Sequence, residues 1–164
     1  MKMLSFLMQD SLVQVSSSNT GDVDRDLIVS RLNYIKSQEN FEWVYSHKVH
    51  YLNIPISFDI ETSSFYEGVA KKAIMYIWTC NVNGTTFIGR TWKQFTQLLD
   101  IMSEVFELIR YNKRCLIYVH NLEYEFQFMR KWFDWHDIFA DDKRQPLYAV
   151  TKGGVEFRCS YRLS

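Results

Sequence analysis

The sequence predicts an α/β domain built on a mixed β-sheet, and three observations carry that expectation. Ile54, Ile56, Phe58 and Ile60 alternate with polar residues, the two-residue period of a strand with one buried face. Asn83-Gly84 stands between two strand-like runs, Ala73 to Val82 and Thr85 to Ile88, which predicts a tight hairpin and hence an antiparallel meander of three strands. After Gly89 the apolar period lengthens to three and four residues, and the short apolar run Cys115-Leu116-Ile117-Tyr118-Val119 comes next. A helix between two such strands implies a crossover and a parallel addition to the sheet.

Taken in order, residues 1 to about 23 end in Ser16-Ser17-Ser18-Asn19-Thr20-Gly21, a turn-rich stretch expected to be mobile. Asp24 or Asp26 is placed to cap a helix running to about Gln38, with Leu27, Ile28, Leu32 and Ile35 as its apolar stripe and the cover of a sheet as its role. Residues 1–50 therefore read as an extension with one helix, and 51–164 as the main domain. Pro55 opens the first strand, where the missing N–H costs no ladder bond. Trp92, Phe95, Leu98, Leu99, Met102, Val105, Phe106 and Ile109 mark one face of an amphipathic helix of about five turns. Asn121 takes the N-cap position of a further helix whose buried stripe is Leu122, Phe126, Met129 and Phe133. Leu147 to Thr151 and Val155 to Tyr161 form a last hairpin about Lys152-Gly153-Gly154.

Composition narrows the class. A chain of 164 residues that is 47% apolar and 16% aromatic has enough to bury for one folded domain and too much for a disordered one. Lys plus Arg equals Asp plus Glu at 19 each, so overall charge points to no polyanionic partner. Local clusters at Lys71-Lys72, Arg110 to Arg114, Arg130-Lys131 and Lys143-Arg144 offer either a basic rim or ordinary solvated surface. Cys80, Cys115 and Cys159 are odd in number and widely spaced, as buried thiols of a reducing compartment would be. No apolar run approaches the roughly 18 residues that span a bilayer, and Met1 to Met8 lacks the cleavage site of a signal peptide. The expected location is the cytoplasm, with no membrane partner.

Two motifs carry chemistry. In Phe58-Asp59-Ile60-Glu61-Thr62 the carboxylates of Asp59 and Glu61 leave one face of a strand. Like charges that close repel, and a cation with oxygen ligands, Mg²⁺ or Mn²⁺, relieves the repulsion; the alternative is a solvated strand face. In Tyr118-Val119-His120-Asn121-Leu122-Glu123-Tyr124-Glu125-Phe126-Gln127-Phe128, residues Asn121 and Glu125 are one helical turn apart, with Phe128 beside them. Glu125 can then join Asp59 and Glu61, while Tyr124 and Phe128 offer rings to unstacked bases. Taken alone, the second segment also fits a capping Asn, a surface Glu and core aromatics.

The two motifs in this order resemble the 3′–5′ exonuclease domain of protein-primed family B DNA polymerases, the replicases of phages and linear plasmids. That family's first motif reads D-x-E-T and its second H-N-L-x-F-D-x-x-F. The tail Phe157-Arg158-Cys159-Ser160-Tyr161 is similar to its later strand, often R-D-S-[LY]. The resemblance runs from about Ile54 to the last residue. It implies an RNase H-like fold of the DEDD type and two-metal hydrolysis of single-stranded DNA 3′ ends in a phage-infected or plasmid-bearing host. Asp59, Glu61 and Glu125 match the catalytic metal ligands, and Thr62, Asn121, Tyr124, Phe128, Ser160 and Tyr161 match residues that hold the frayed end. His120 matches a position near the strand and the priming protein; a hydrogen-bonded histidine beside the sheet is its other reading.

Two departures from the pattern set further expectations. Glu125 replaces an aspartate, and the family's fourth carboxylate belongs to a later Y-x-x-x-D segment that does not occur before Ser164. The resemblance therefore implies an exonuclease module impaired or inactive as an isolated chain, completed by the rest of a polymerase or by another protein covering that side. The alternative is a catalytically dead relative that binds single-stranded DNA or a protein, as a decoy or inhibitor in phage–host conflict.

Overall fold

A computed structural model describes residues 11–109, 112–140 and 146–163. The expected basic residues Arg110, Lys143 and Arg144, and the acidic Asp141 and Asp142, lie outside the described residues, as does the apolar start Met1 to Met8.

The described elements are β1 (Leu12–Gln14), α1 (Arg25–Lys36), β2 (Trp43–Ser46), β3 (Val49–Leu52), β4 (Ile56–Glu67), β5 (Ala70–Val82), β6 (Thr85–Gly89), α2 (Trp92–Val105), β7 (Lys113–Val119), α3 (Leu122–Met129), a 3₁₀ turn (Arg130–Trp132), β8 (Trp135–Ala140), β9 (Pro146–Thr151), β10 (Val155–Cys159) and the short α4 (Ser160–Leu163). The strands form one mixed sheet in the order β1-β6-β5-β4-β7-β10-β9-β8, with the β2–β3 hairpin attached through β3 to β7. Antiparallel pairing joins β4 to β5 and β5 to β6. Parallel pairing joins β4 to β7 and β7 to β10.

The meander arises from its turn. Asn83 and Gly84 have φ of 51° and 95°, the left-handed pair that a two-residue hairpin turn requires. The crossover arises from α2, whose Thr91 and Gln94 form a reciprocal capping box. Phe95 on α2 reaches the sheet centre, its ring stacked 4.2 Å from that of Phe58 on β4 and tilted against that of Trp78 on β5 at 5.0 Å. Removing a ring so enclosed costs about 3–5 kcal/mol.

The described residues before 51, from Leu12 on, belong to the same sheet and core. β1 runs parallel to β6, and β3 runs parallel to the first half of β7. Asp24 caps α1, accepting a hydrogen bond from the Leu27 N–H. Ile28, Leu32 and Ile35 are fully buried, as their spacing predicts. The helix packs beside α2 and is tied to it by Arg25–Glu104 at 2.7 Å.

Several boundaries differ from expectation, each for a local reason. α2 stops at Val105, because Glu107 turns left-handed at φ 55° and the Leu108 N–H bonds back to the Ser103 carbonyl. Phe106 and Leu108 stay buried in the irregular segment after the helix, which is why the apolar period outlasts it. α3 ends at Met129 and tightens into the 3₁₀ turn instead of reaching Phe133. The last strand ends at Cys159, opposite Val119, where β7 also ends. With no strand left to pair, Ser160 and Tyr161 enter α4 instead of extending the hairpin. Asp137 stands on β8.

All three cysteines are buried and unpaired, and burial pushes the thiols of Cys80 and Cys115 up, the latter to about 12. Among the described residues no helix is long and apolar enough to cross a membrane.

Candidate active site

The sheet hands two motifs to one corner. β4 buries Ile56, Phe58 and Ile60 toward α2, so the intervening Asp59 and Glu61 emerge on the other face, both exposed. β7 runs parallel beside β4, pairing Phe58 with Val119, so the chain leaves β7 level with Asp59 and starts α3 there. The two motifs therefore meet because their strands are parallel neighbours.

Glu125 makes the junction. It lies on the first turn of α3 but is only 4% exposed. Its carboxyl group accepts hydrogen bonds from the Asn121 N–H at the start of its own helix and from the Ile60 N–H on β4, and meets the carboxyl group of Asp59. Burial, then the Asp59 charge and the Asp59 hydrogen bond, push Glu125 up to about 8, against the pull of the two backbone donors. That rise favours the protonated form of Glu125 at neutral pH. One Glu125 oxygen, Oε2, is buried and finds no donor among the described residues.

Residues on either side of the pair tie β4 to α3 again. Thr62 Oγ1 and Tyr124 Oη are hydrogen-bonded at 2.8 Å. Thr62 follows a register shift in the β4–β5 ladder, where Glu61 faces Ile77 and Thr62 faces Met75, so that Tyr76 is the extra residue on β5. The ring of Tyr124 lies 5.2 Å from that of Phe128, one turn on. Asn121 occupies the N-cap position, as its sequence context predicts, but its side chain makes no capping bond.

The end of β10 forms a separate group next to this corner. The rings of His120 and Tyr161 are 5.8 Å apart, and the Tyr161 N–H bonds to the His120 carbonyl. Ser160 Oγ donates to the Val119 carbonyl at 3.4 Å. Of the expected site residues, Asp59 and Glu125 meet directly, Thr62, Tyr124 and Phe128 adjoin them, and His120, Ser160 and Tyr161 cluster at the end of β7. Glu61 shares the strand face of Asp59.

Among the described residues no three His, Cys, Asp or Glu side chains assemble into a group able to hold a metal ion. The Asp59–Glu125 pair nevertheless has the chemistry of a cation site. A buried carboxylate oxygen without a donor, in a carboxyl group that meets a second acid, would be relieved by a proton on Glu125 or by a divalent ion.

Sequence reasoning missed the open cleft beside this corner, of about 750 Å³, whose lining includes Lys71, Ile74, Tyr124, Phe128 and Trp132. Arg130-Lys131 and Lys71 were visible as basic clusters, but their convergence depends on the long β4–β5 ribbon, which no local pattern reveals. No protein-family model matches the chain, and no curated protein matches it.

Proposed function

We propose that this chain is the 3′–5′ exonuclease module of a protein-primed family B DNA polymerase, acting on the 3′ ends of single-stranded DNA. The observation that carries this reading is the Asp59–Glu125 carboxyl pair with its buried, donor-free oxygen. The strand order β6-β5-β4-β7-β10, an antiparallel meander with two parallel additions, supports the RNase H-like reading of the fold.

Asp59 and Glu125 would hold a divalent ion, Mg²⁺ or Mn²⁺, with Glu61 as a further ligand from the same strand face. Such an ion supplies a lowered water pKa and stabilises the departing 3′ oxygen. The chain's own groups do the rest. Burial of Glu125 keeps bulk water from one side of the pair, and the Ile60 and Asn121 N–H groups fix its carboxyl orientation. Tyr124 and Phe128 present ring faces to unpaired bases, and a paired terminus has none to offer. Thr62 and the free-standing Asn121 amide give polar contacts to the terminal sugar or base.

A second reading is favoured by the lack of a three-carboxylate group among the described residues: a relative that binds single-stranded DNA, or a protein partner, without cleaving. Digestion of 5′-labelled single-stranded DNA with Mg²⁺ or Mn²⁺ separates the two. Weak stepwise shortening by the isolated chain, abolished by EDTA and by Asp59→Ala, is the expected result. Intact DNA that stays bound to folded protein overturns the exonuclease and leaves the binding relative.

A further inference from the structure

Beyond the bulge at Glu61/Thr62 the sheet narrows to two strands. β7 pairs with β4 only at Ser57 and Phe58, and β6 pairs with β5 only from Trp78 onward. Residues 63–67 and 70–74 therefore form an arm of two strands pairing with each other, with Met75 at its base buried in the core. Such a ribbon is marginal alone. This one also exposes large apolar side chains: Phe65, Tyr66, Val69 and Ile74 are all at least 45% exposed.

One side of the arm faces α3 and the 3₁₀ turn across the 750 Å³ cleft. Lys71 enters from the arm, and Arg130 and Lys131 from the turn. Among the described residues no acidic side chain lines it. Aromatic faces sit between the cations: Trp132 is 44% and Tyr124 41% exposed, with Phe128 packed against Tyr124. Lys131 Nζ lies 5.8 Å from the Trp132 ring centroid, so a cation and a stacking surface come as one unit. The cleft begins at Tyr124, the residue before Glu125, and at the arm base, where Tyr124 bonds to Thr62.

We infer that this cleft is a track for the body of a single DNA strand, with phosphates on Lys71, Arg130 and Lys131 and a base stacked on Trp132. Cations without acids select a polyanion, and exposed rings select one whose bases are unstacked. An acidic peptide would use the charges but leave the ring faces unexplained. A duplex hides the base faces that Trp132 and Tyr124 would meet. The inference rests on the proposed function for its choice of polymer, and assigns the strand upstream of the 3′ end to Lys71, Arg130, Lys131 and Trp132.

The test is fluorescence anisotropy of the full chain with a labelled oligothymidylate of about 15 nucleotides, in EDTA so that no hydrolysis occurs. Lys71→Gln with Lys131→Gln should weaken binding about tenfold or more at low salt and flatten the salt dependence by about 0.7 for each phosphate left without its cation. Trp132→Ala should weaken it about fivefold or more. Arg25→Gln, a charge change on α1 far along the chain, should leave it unaltered. All of the substituted residues are exposed, so the variants fold. Binding indifferent to the cleft substitutions, or a duplex that competes as well as the single strand, overturns the track. Failure of the exonuclease reading looks different: DNA is not shortened with metal present, while cleft-dependent binding in EDTA persists.

Discussion

Tyr124 Oη on α3 and Thr62 Oγ1 on β4 stand 2.8 Å apart, so the helix that carries Glu125 is pinned to the strand that carries Asp59 by a bond between their sequence neighbours. The pin fixes the spacing of the two acids without using either of them. Tyr124 also lines the cleft, so the pinned ring belongs to both features.

Removing the pin should cost little stability and more positional order. Both groups are partly exposed, so Thr62→Val and Tyr124→Phe should each lose about 0.5–1 kcal/mol. In a chain of this length that is a fall in Tm of about 1–4 °C. The double variant should cost no more than the larger single loss, since one bond is removed twice. Additive losses in a double-mutant cycle would show that the two hydroxyls act separately.

The carboxyl pair predicts the pH dependence of stability. Glu125 titrates near 8 in the folded chain and in the ordinary carboxylate range when unfolded. Between those values the folded state holds a proton that the unfolded state has lost, so stability falls as pH rises through the window. At its steepest the loss is about 1.4 kcal/mol per pH unit. Glu125→Gln has no proton to lose. In EDTA its Tm relative to the parent chain should therefore rise from pH 5 to pH 8. Parallel pH profiles for the two chains would place the titration elsewhere.

A divalent ion should compete with that proton. Mn²⁺ added to the metal-free chain should raise Tm more at pH 8 than at pH 6, because less proton remains to be displaced. A concentration a hundredfold above Kd corresponds to about 2.7 kcal/mol. Asp59→Asn should abolish the gain. Equal gains at both pH values, or a gain that survives in Asp59→Asn, would mean that the ion binds away from the pair.

On β10, Glu156 is 2% exposed and is held by Arg114 at 3.2 Å and Arg158 at 2.5 Å, with Arg158 also over the ring of Tyr51. It thereby links β3, β7 and β10 on the face opposite α2. Both arginines keep some contact with water, so stranding them costs less than it would in a closed core. Glu156→Ala should destabilise by about 2–3 kcal/mol, toward the lower end for a broken buried pair. Chemical denaturation would measure it, and a loss under about 0.5 kcal/mol, the size of a surface pair, would refute the linkage.

Where a signal is local, the sequence and the structure agree. Asp24 caps α1 and Asn83-Gly84 turns the meander, since each acts through neighbours a few residues away. The β2–β3 hairpin escaped because its turn is His47-Lys48, two residues without glycine that nevertheless adopt φ of 50° and 65°. β1 is three residues long, and β8 is an exposed edge whose composition shows no alternation. The site was legible as two motifs. Their meeting was not, because it depends on β4 and β7 being parallel neighbours, a long-range pairing that no local pattern reveals.

Gly89, at the end of β6, lies beneath the indole of Trp78, whose Nε1–H is bonded to the Thr91 carbonyl. A methyl group at Gly89 would come within 2.2 Å of that ring, and the ring has no room to retreat. If the proposed function holds, a survey of variants scored by loss alone would thus rank this glycine with Asp59, although the two would fail differently: one chain would not accumulate, the other would accumulate and be silent. Telling apart the positions that build this molecule from those that give it a task requires protein abundance to be measured beside activity in every variant.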